Sequence, residues 1–92
     1  MPKFTKKPVV IEAWQFDAPE FMPQPSWFTQ AMHAGKIHFQ GGKKPYYTIE
    51  TLEGKMRAVP GDWIIRGVKG ELYPCKSDVF AATYEPYEAL FS

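Results

Sequence analysis

The sequence predicts a small α+β domain built mostly on antiparallel strands, with two short helices over about residues 27–34 and 78–84. Three observations lead there. Short runs of β-branched and aromatic residues recur between Gly- and Pro-rich breaks, which marks strands joined by turns. Only two segments have a helix start followed by helix-forming residues. The order that results, β-α-β-β-β-β-β-α, does not alternate regularly, so a parallel βαβ sheet is disfavoured.

Each element has its own local reason. Pro8 precedes Val9 to Phe16 (VVIEAWQF), which reads as a strand. Trp14 and Phe16 share one side with Val10, while Val9, Ile11 and Ala13 share the other. Both sides are largely apolar, which suggests an inner strand covered on both faces. Asp17 to Pro25 holds three prolines and is therefore a loop. Ser26 stands where an N-cap would, Trp27 to Ala34 follows as a helix, and Gly35 suits its C′ position. The pairs Trp27/Ala31 and Phe28/Met32 lie four residues apart, as expected of a face packed on a sheet.

Ile37 to Gln40 is a short strand, and Gly41 to Pro45 is a loop. Tyr46 to Leu52 alternates, with Tyr47, Ile49 and Thr51 on one side and Tyr46, Thr48 and Glu50 on the other. Glu53-Gly54 turns the chain into Lys55–Val59. Pro60-Gly61-Asp62 breaks it again. Trp63–Gly67 and Glu71–Cys75 form a hairpin around Val68-Lys69-Gly70. Ser77 or Asp78 caps the last helix, and Pro86 stops it.

The chain of 92 residues suits one domain, 1–92. Aromatics make up 16% of it, enough bulky apolar material to fill a core without disulfides or metals. A net charge of +1 argues against a dedicated nucleic-acid binder, because such affinity comes from many phosphate contacts. Lys3, Lys6 and Lys7 read as a solvated terminus. The single cysteine cannot close an internal disulfide, which favours a reducing cytoplasmic setting. No apolar run is long enough for a membrane span, and the N-terminus lacks the make-up of a signal peptide.

KPVVIEAWQFD, TLEGKM and PGDWIIRGVKGELYPCKSDVFAATYE together resemble a family of small phage and prophage proteins of undefined role. They occur in the family's order and cover about half of the chain. The family's last segment has Pro where this chain has Ser77, and both suit a helix start. The resemblance implies an accessory protein in the cytoplasm of a bacterial host and brings no catalytic residue with it.

Candidate chemistry centres on the last third. Cys75 precedes a helix start and lies beside Lys76, an arrangement that lowers a thiol pKa. Its competing reading is plain packing, and His33 and His38 are remote in sequence as bases. No metal-ligand spacing occurs, and no cofactor is implied. Carboxylates Asp62, Glu71 and Asp78 read as caps and surface charge. The glycines Gly61, Gly67 and Gly70 fit turns, not a phosphate loop.

The sharper expectation is a recognition surface of Trp63, Arg66, Lys69, Glu71, Tyr73 and Lys76, since Arg and aromatic residues anchor interfaces. Its competitor is an Arg66–Glu71 cross-strand pair that only supports the hairpin. The sequence therefore favours a non-enzymatic module binding a host or phage protein. A single-stranded nucleic-acid module is the first alternative, and a small Cys75-dependent enzyme the second.

Overall fold

A computed structural model describes residues 10–16 and 24–85. Six antiparallel strands form two three-stranded sheets, accompanied by two helices. The first sheet has the order β1 (Glu12–Gln15), β5 (Trp63–Arg66), β6 (Leu72–Cys75). The second is β2 (Ile37–Gln40), β3 (Tyr46–Thr51), β4 (Gly54–Ala58). Helix α1 is Ser26–His33 and α2 is Ser77–Thr83. The α+β class and the order of all eight elements agree with the sequence expectation. The basic cluster at Lys3, Lys6 and Lys7, the strand start at Pro8 and Val9, most of the proline loop, Pro86 and the tail lie outside the described residues.

Three local expectations need correction. The first strand is not an inner strand. β1 pairs only with β5, and β5 takes the centre of the sheet. The adjacent pair Ile64 and Ile65 explains this: both are fully buried although they point to opposite faces. Ser26 does not cap α1. The carbonyl of Pro25 accepts from Phe28 and Thr29 N–H, so the ladder starts one residue earlier and Ser26 is already helical. Neither Ser77 nor Asp78 caps α2, since Lys76 occupies the N-cap and its carbonyl accepts from Phe80 N–H. The end of α1 follows expectation. Gly35, at φ 79°, allows Lys36 N–H to reach the Ala31 carbonyl and Gly35 N–H to reach Met32, a Schellman closure.

The main core lies between the inner faces of the two sheets and α1. It contains Phe16, Phe28, Ala31, Ile37, Tyr47, Ile49, Ala58, Ile64 and Leu72, with Trp14 packed against it. Tyr47 is its hub, with ring centroids 4.8 Å from Phe16, 5.0 Å from Phe28 and 5.1 Å from Phe39. Gln24 Nε2 donates to the Tyr47 hydroxyl at 3.0 Å, which satisfies the one polar atom this ring carries inward.

The turn Val59–Asp62 ties both sheets together. Pro60 fixes one central φ and Gly61 takes φ 100°, closing Asp62 N–H onto the Val59 carbonyl at 2.9 Å. Phe16 N–H donates to the Asp62 carbonyl, and Gln15 Nε2 donates to the Gly61 carbonyl. The end of β1 is thus fastened to the link between β4 and β5.

Candidate functional site

The six hairpin residues singled out from sequence do not form one surface. Register places Trp63, Ile65, Tyr73 and Cys75 on one face of the first sheet, and Ile64, Arg66 and Leu72 on the other. Helix α2 covers the first of these faces. Phe80 stacks on Trp63 at 4.1 Å with 5° between the rings, and Tyr84 packs on Phe80. The Tyr73 and Tyr84 hydroxyls are 3.4 Å apart. Trp63 and Tyr73 therefore belong to a half-buried aromatic cluster against α2. Burial raises the Tyr73 hydroxyl well above the usual tyrosine value, and Tyr84 adds to the shift.

Arg66 lies on the other face, and its partner is not Glu71. Its guanidinium meets Glu12 across the β1–β5 pair at 2.6 Å, on an exposed rim. Glu71 folds back over its own hairpin, where its carboxylate accepts Lys69 N–H at 2.9 Å. A Cβ built on Gly67 would collide with that carboxylate, which is why a residue without a side chain fits there. Lys69 is exposed in the turn. Lys76 sits at the far end of β6 and bridges Asp62 at 3.1 Å. Asp62 is buried at 4% exposure and also accepts Val59 N–H at 3.0 Å.

Cys75 is half-buried at the end of β6. Burial pushes its thiol up from the ordinary value, and the nearby carboxylates of Asp62 and Asp78 push it the same way. The lowering expected from Lys76 and the helix start does not prevail. No hydrogen bond joins Cys75 to a histidine among the described residues. Its Sγ is directed to the Lys76 carbonyl at 3.6 Å. Among the described residues no three His, Cys, Asp or Glu side chains are grouped as metal ligands. None of the described helices is long and apolar enough to cross a membrane.

Two open features remain. One is a depression of about 250 Å³ between the tips of the β3–β4 and β5–β6 hairpins, lined by Lys36, Glu50, Leu52, Gly70, Glu71 and Leu72. Leu52, at 89% exposure, and Val68, at 63%, stand on those two tips. The other is the outer face of the second sheet. His38, Thr48 and Arg57 form one cross-strand row there, with Tyr46 beside it and Glu50 opposite Lys55. The Arg57 guanidinium carbon lies 4.0 Å above the Tyr46 ring centroid.

The alternation in β3 creates this outer face, and nothing in it by itself marks a role. The available signal was Tyr46, Thr48 and Glu50 interleaved with Tyr47 and Ile49. Which face stays open depends on α2 packing on the other sheet, a long-range fact. Comparison with protein-family models, curated proteins and solved structures finds no match to this chain.

Proposed function

We propose that the protein is a phage- or prophage-encoded accessory factor that acts in the bacterial cytoplasm as a non-enzymatic, protein-binding module. The phage origin follows from the resemblance of the three sequence segments. The binding reading is carried by one observation: an open depression lies between two hairpin tips, one carrying the exposed Leu52 that lines it and the other the exposed Val68. Single exposed apolar residues are ordinary on protein surfaces, but neighbouring ones around a hollow favour a contact site. Glu71 lines the same depression, so one of the six expected binding residues belongs to it. Trp63 and Tyr73 do not, because α2 covers them.

A Cys75-dependent enzyme has less support. A thiol raised by burial and carboxylates holds less thiolate at neutral pH, which is opposite to what a nucleophile requires.

The test is a quantitative pull-down from bacterial lysate with wild-type protein and with Leu52→Asp and Val68→Asp variants. A partner retained by wild type and lost from both variants, with their circular dichroism unchanged, is the expected outcome. A partner retained equally by all three removes the hairpin tips as the contact, and the absence of any specific partner argues against the module itself.

A further inference from the structure

We propose that the outer face of the second sheet binds single-stranded nucleic acid. This inference is independent of the hairpin-tip reading, because Lys43, Lys44, Tyr46 and Arg57, which carry it, do not line that depression.

Charge is distributed unevenly along the chain. Residues 36–58 hold five cations, Lys36, Lys43, Lys44, Lys55 and Arg57, against only Glu50 and Glu53. The rest of the chain has six basic and eight acidic residues. The overall charge of +1 therefore conceals a basic sheet on an acidic remainder. Pairing is uneven as well. Arg66 and Lys76 are both engaged by carboxylates in or beside the first sheet. None of the five cations around the second sheet makes an ion pair among the described residues. Unpaired cations on one side of a small domain form the electrostatic footprint for an anionic partner.

Stacking chemistry lies within the same patch. Arg57 rests its guanidinium over the Tyr46 ring, 4.0 Å from the centroid, which anchors a planar cation on the outer face. Its other side is open to solvent, as Arg57 is an exposed residue. Unpaired bases stack on aromatic rings and on guanidinium planes. His38 and Thr48 continue the Arg57 row across the three strands and add hydrogen-bonding groups. Lys43 and Lys44, in the loop between β2 and β3, supply charge at one end for backbone phosphates.

The shape selects among anions. The face is the side of a three-stranded sheet, and among the described residues neither helix belongs to it or projects from it to enter a duplex groove. Stacking on Arg57 requires a base that is not already stacked in a duplex. An acidic protein segment would pair with the lysines and with the edge of the Arg57 guanidinium, and would leave its solvent-facing plane unused.

The experiment is fluorescence anisotropy of short labelled oligothymidylate and oligouridylate at low salt. A blunt duplex and polyglutamate serve as competitors. Wild type should bind single strands, with affinity falling steeply as salt is added. Arg57→Lys keeps the charge but loses the plane, and should weaken binding about 5- to 150-fold, the range of a lost base stack. Lys44→Ala should weaken binding more evenly and lower the salt slope by about one. Lys69→Ala, in the β5–β6 turn, should leave binding unchanged.

All of these residues are on the surface, and circular dichroism confirms folding of each variant. Absence of binding at low salt overturns the proposal. So does wild-type affinity in Arg57→Lys, or displacement by polyglutamate as effective as by unlabelled single strand, which would assign the face to an acidic protein. Chemical-shift changes confined to Tyr46, Thr48 and Arg57 on titration would place the ligand as proposed, and changes centred on β5–β6 would refute it.

Discussion

The two sheets have equal strand numbers but opposite relations to their surroundings. The first has the main core on one face and, against the other, the Phe80 ring of α2 and the Tyr84 ring at its C-cap. Among the described residues, the second is covered on one face and open on the other. The difference is written in β5 and β3. β5 carries the continuous apolar run Trp63-Ile64-Ile65, as a strand enclosed on both sides must. β3 alternates Tyr46-Tyr47-Thr48-Ile49, as a half-solvated strand does. Ion pairs follow the same division. Both ion pairs among the described residues, Arg66–Glu12 and Lys76–Asp62, lie in or beside the first sheet, and none involves a cation of the second. The first sheet keeps only its hairpin tip free of packing, whereas the second has a whole face of described residues exposed or half-buried.

The largest expected effect tests this division directly. Ile64 and Ile65 are adjacent and face opposite ways, yet both are fully buried. Ile64→Ala and Ile65→Ala should each destabilise by about 2–5 kcal/mol. In the second sheet the neighbours Thr48 and Ile49 should differ sharply. Ile49→Ala should cost about the same as the other two isoleucines, and Thr48→Ala should remain within about 0.5 kcal/mol. Urea denaturation of the four variants measures this. If Ile65→Ala proved as mild as Thr48→Ala, α2 would not be a true cover and the contrast between sheets would fail.

The next effect concerns the joint between them. Asp62 is the buried acceptor for Val59 N–H and Lys76. Asp62→Ala leaves a backbone donor unsatisfied and should cost about 1–3 kcal/mol. Lys76 is 64% exposed in its side chain, so Lys76→Ala should cost less than about 1 kcal/mol. Equal losses in the two variants would mean that the ion pair matters more than the turn.

Much of this fold was legible because its cues are local. Pro60-Gly61 and Gly35 mark where positive φ is needed, and alternation in Tyr46–Thr51 identifies the buried side. Helix starts were read one residue late, since a side-chain cap was expected at Ser26 where the Pro25 carbonyl suffices. Pairing partners were harder to read. Arg66 was matched with Glu71, its near neighbour through the turn, because nothing local shows that β1 returns from the other end of the chain to place Glu12 beside it. The candidate surface split for the same reason. Trp63 and Tyr73 have the composition of an interface, and only the docking of α2 draws them into a half-buried cluster.

A smaller effect with a change of sign concerns Gly67. Its φ is not in the left-handed region, so Ala is compatible with the backbone. The obstacle is the Glu71 carboxylate packed over it. Gly67→Ala should cost about 1 kcal/mol by displacing that carboxylate from Lys69 N–H. In a Glu71→Ala background the same change should be neutral or stabilising by up to about 1 kcal/mol, because Ala restricts the unfolded chain more than Gly. An additive double-mutant cycle would show that Glu71 is not what reserves this position for glycine.

The smallest effect lies under α2 and is read by pH. Burial, then Asp62 and Asp78, raise the Cys75 thiol above its ordinary value. The folded state therefore holds its proton more tightly than the unfolded chain. The associated stability is fully present below the unfolded thiol pKa and is lost as pH rises through the higher folded value. Cys75 should thus react with a disulfide probe more slowly than free cysteine at mildly alkaline pH. Asp78→Asn should speed the reaction by removing one of the two carboxylates that hold the thiol up, while Asp62 remains in place for the turn. A wild-type rate above that of free cysteine would mean that the helix start controls the thiol after all. The first sheet would then contain a reactive group on the face that meets α2, and the contrast between its packed face and the exposed face of the second sheet would need to be redrawn.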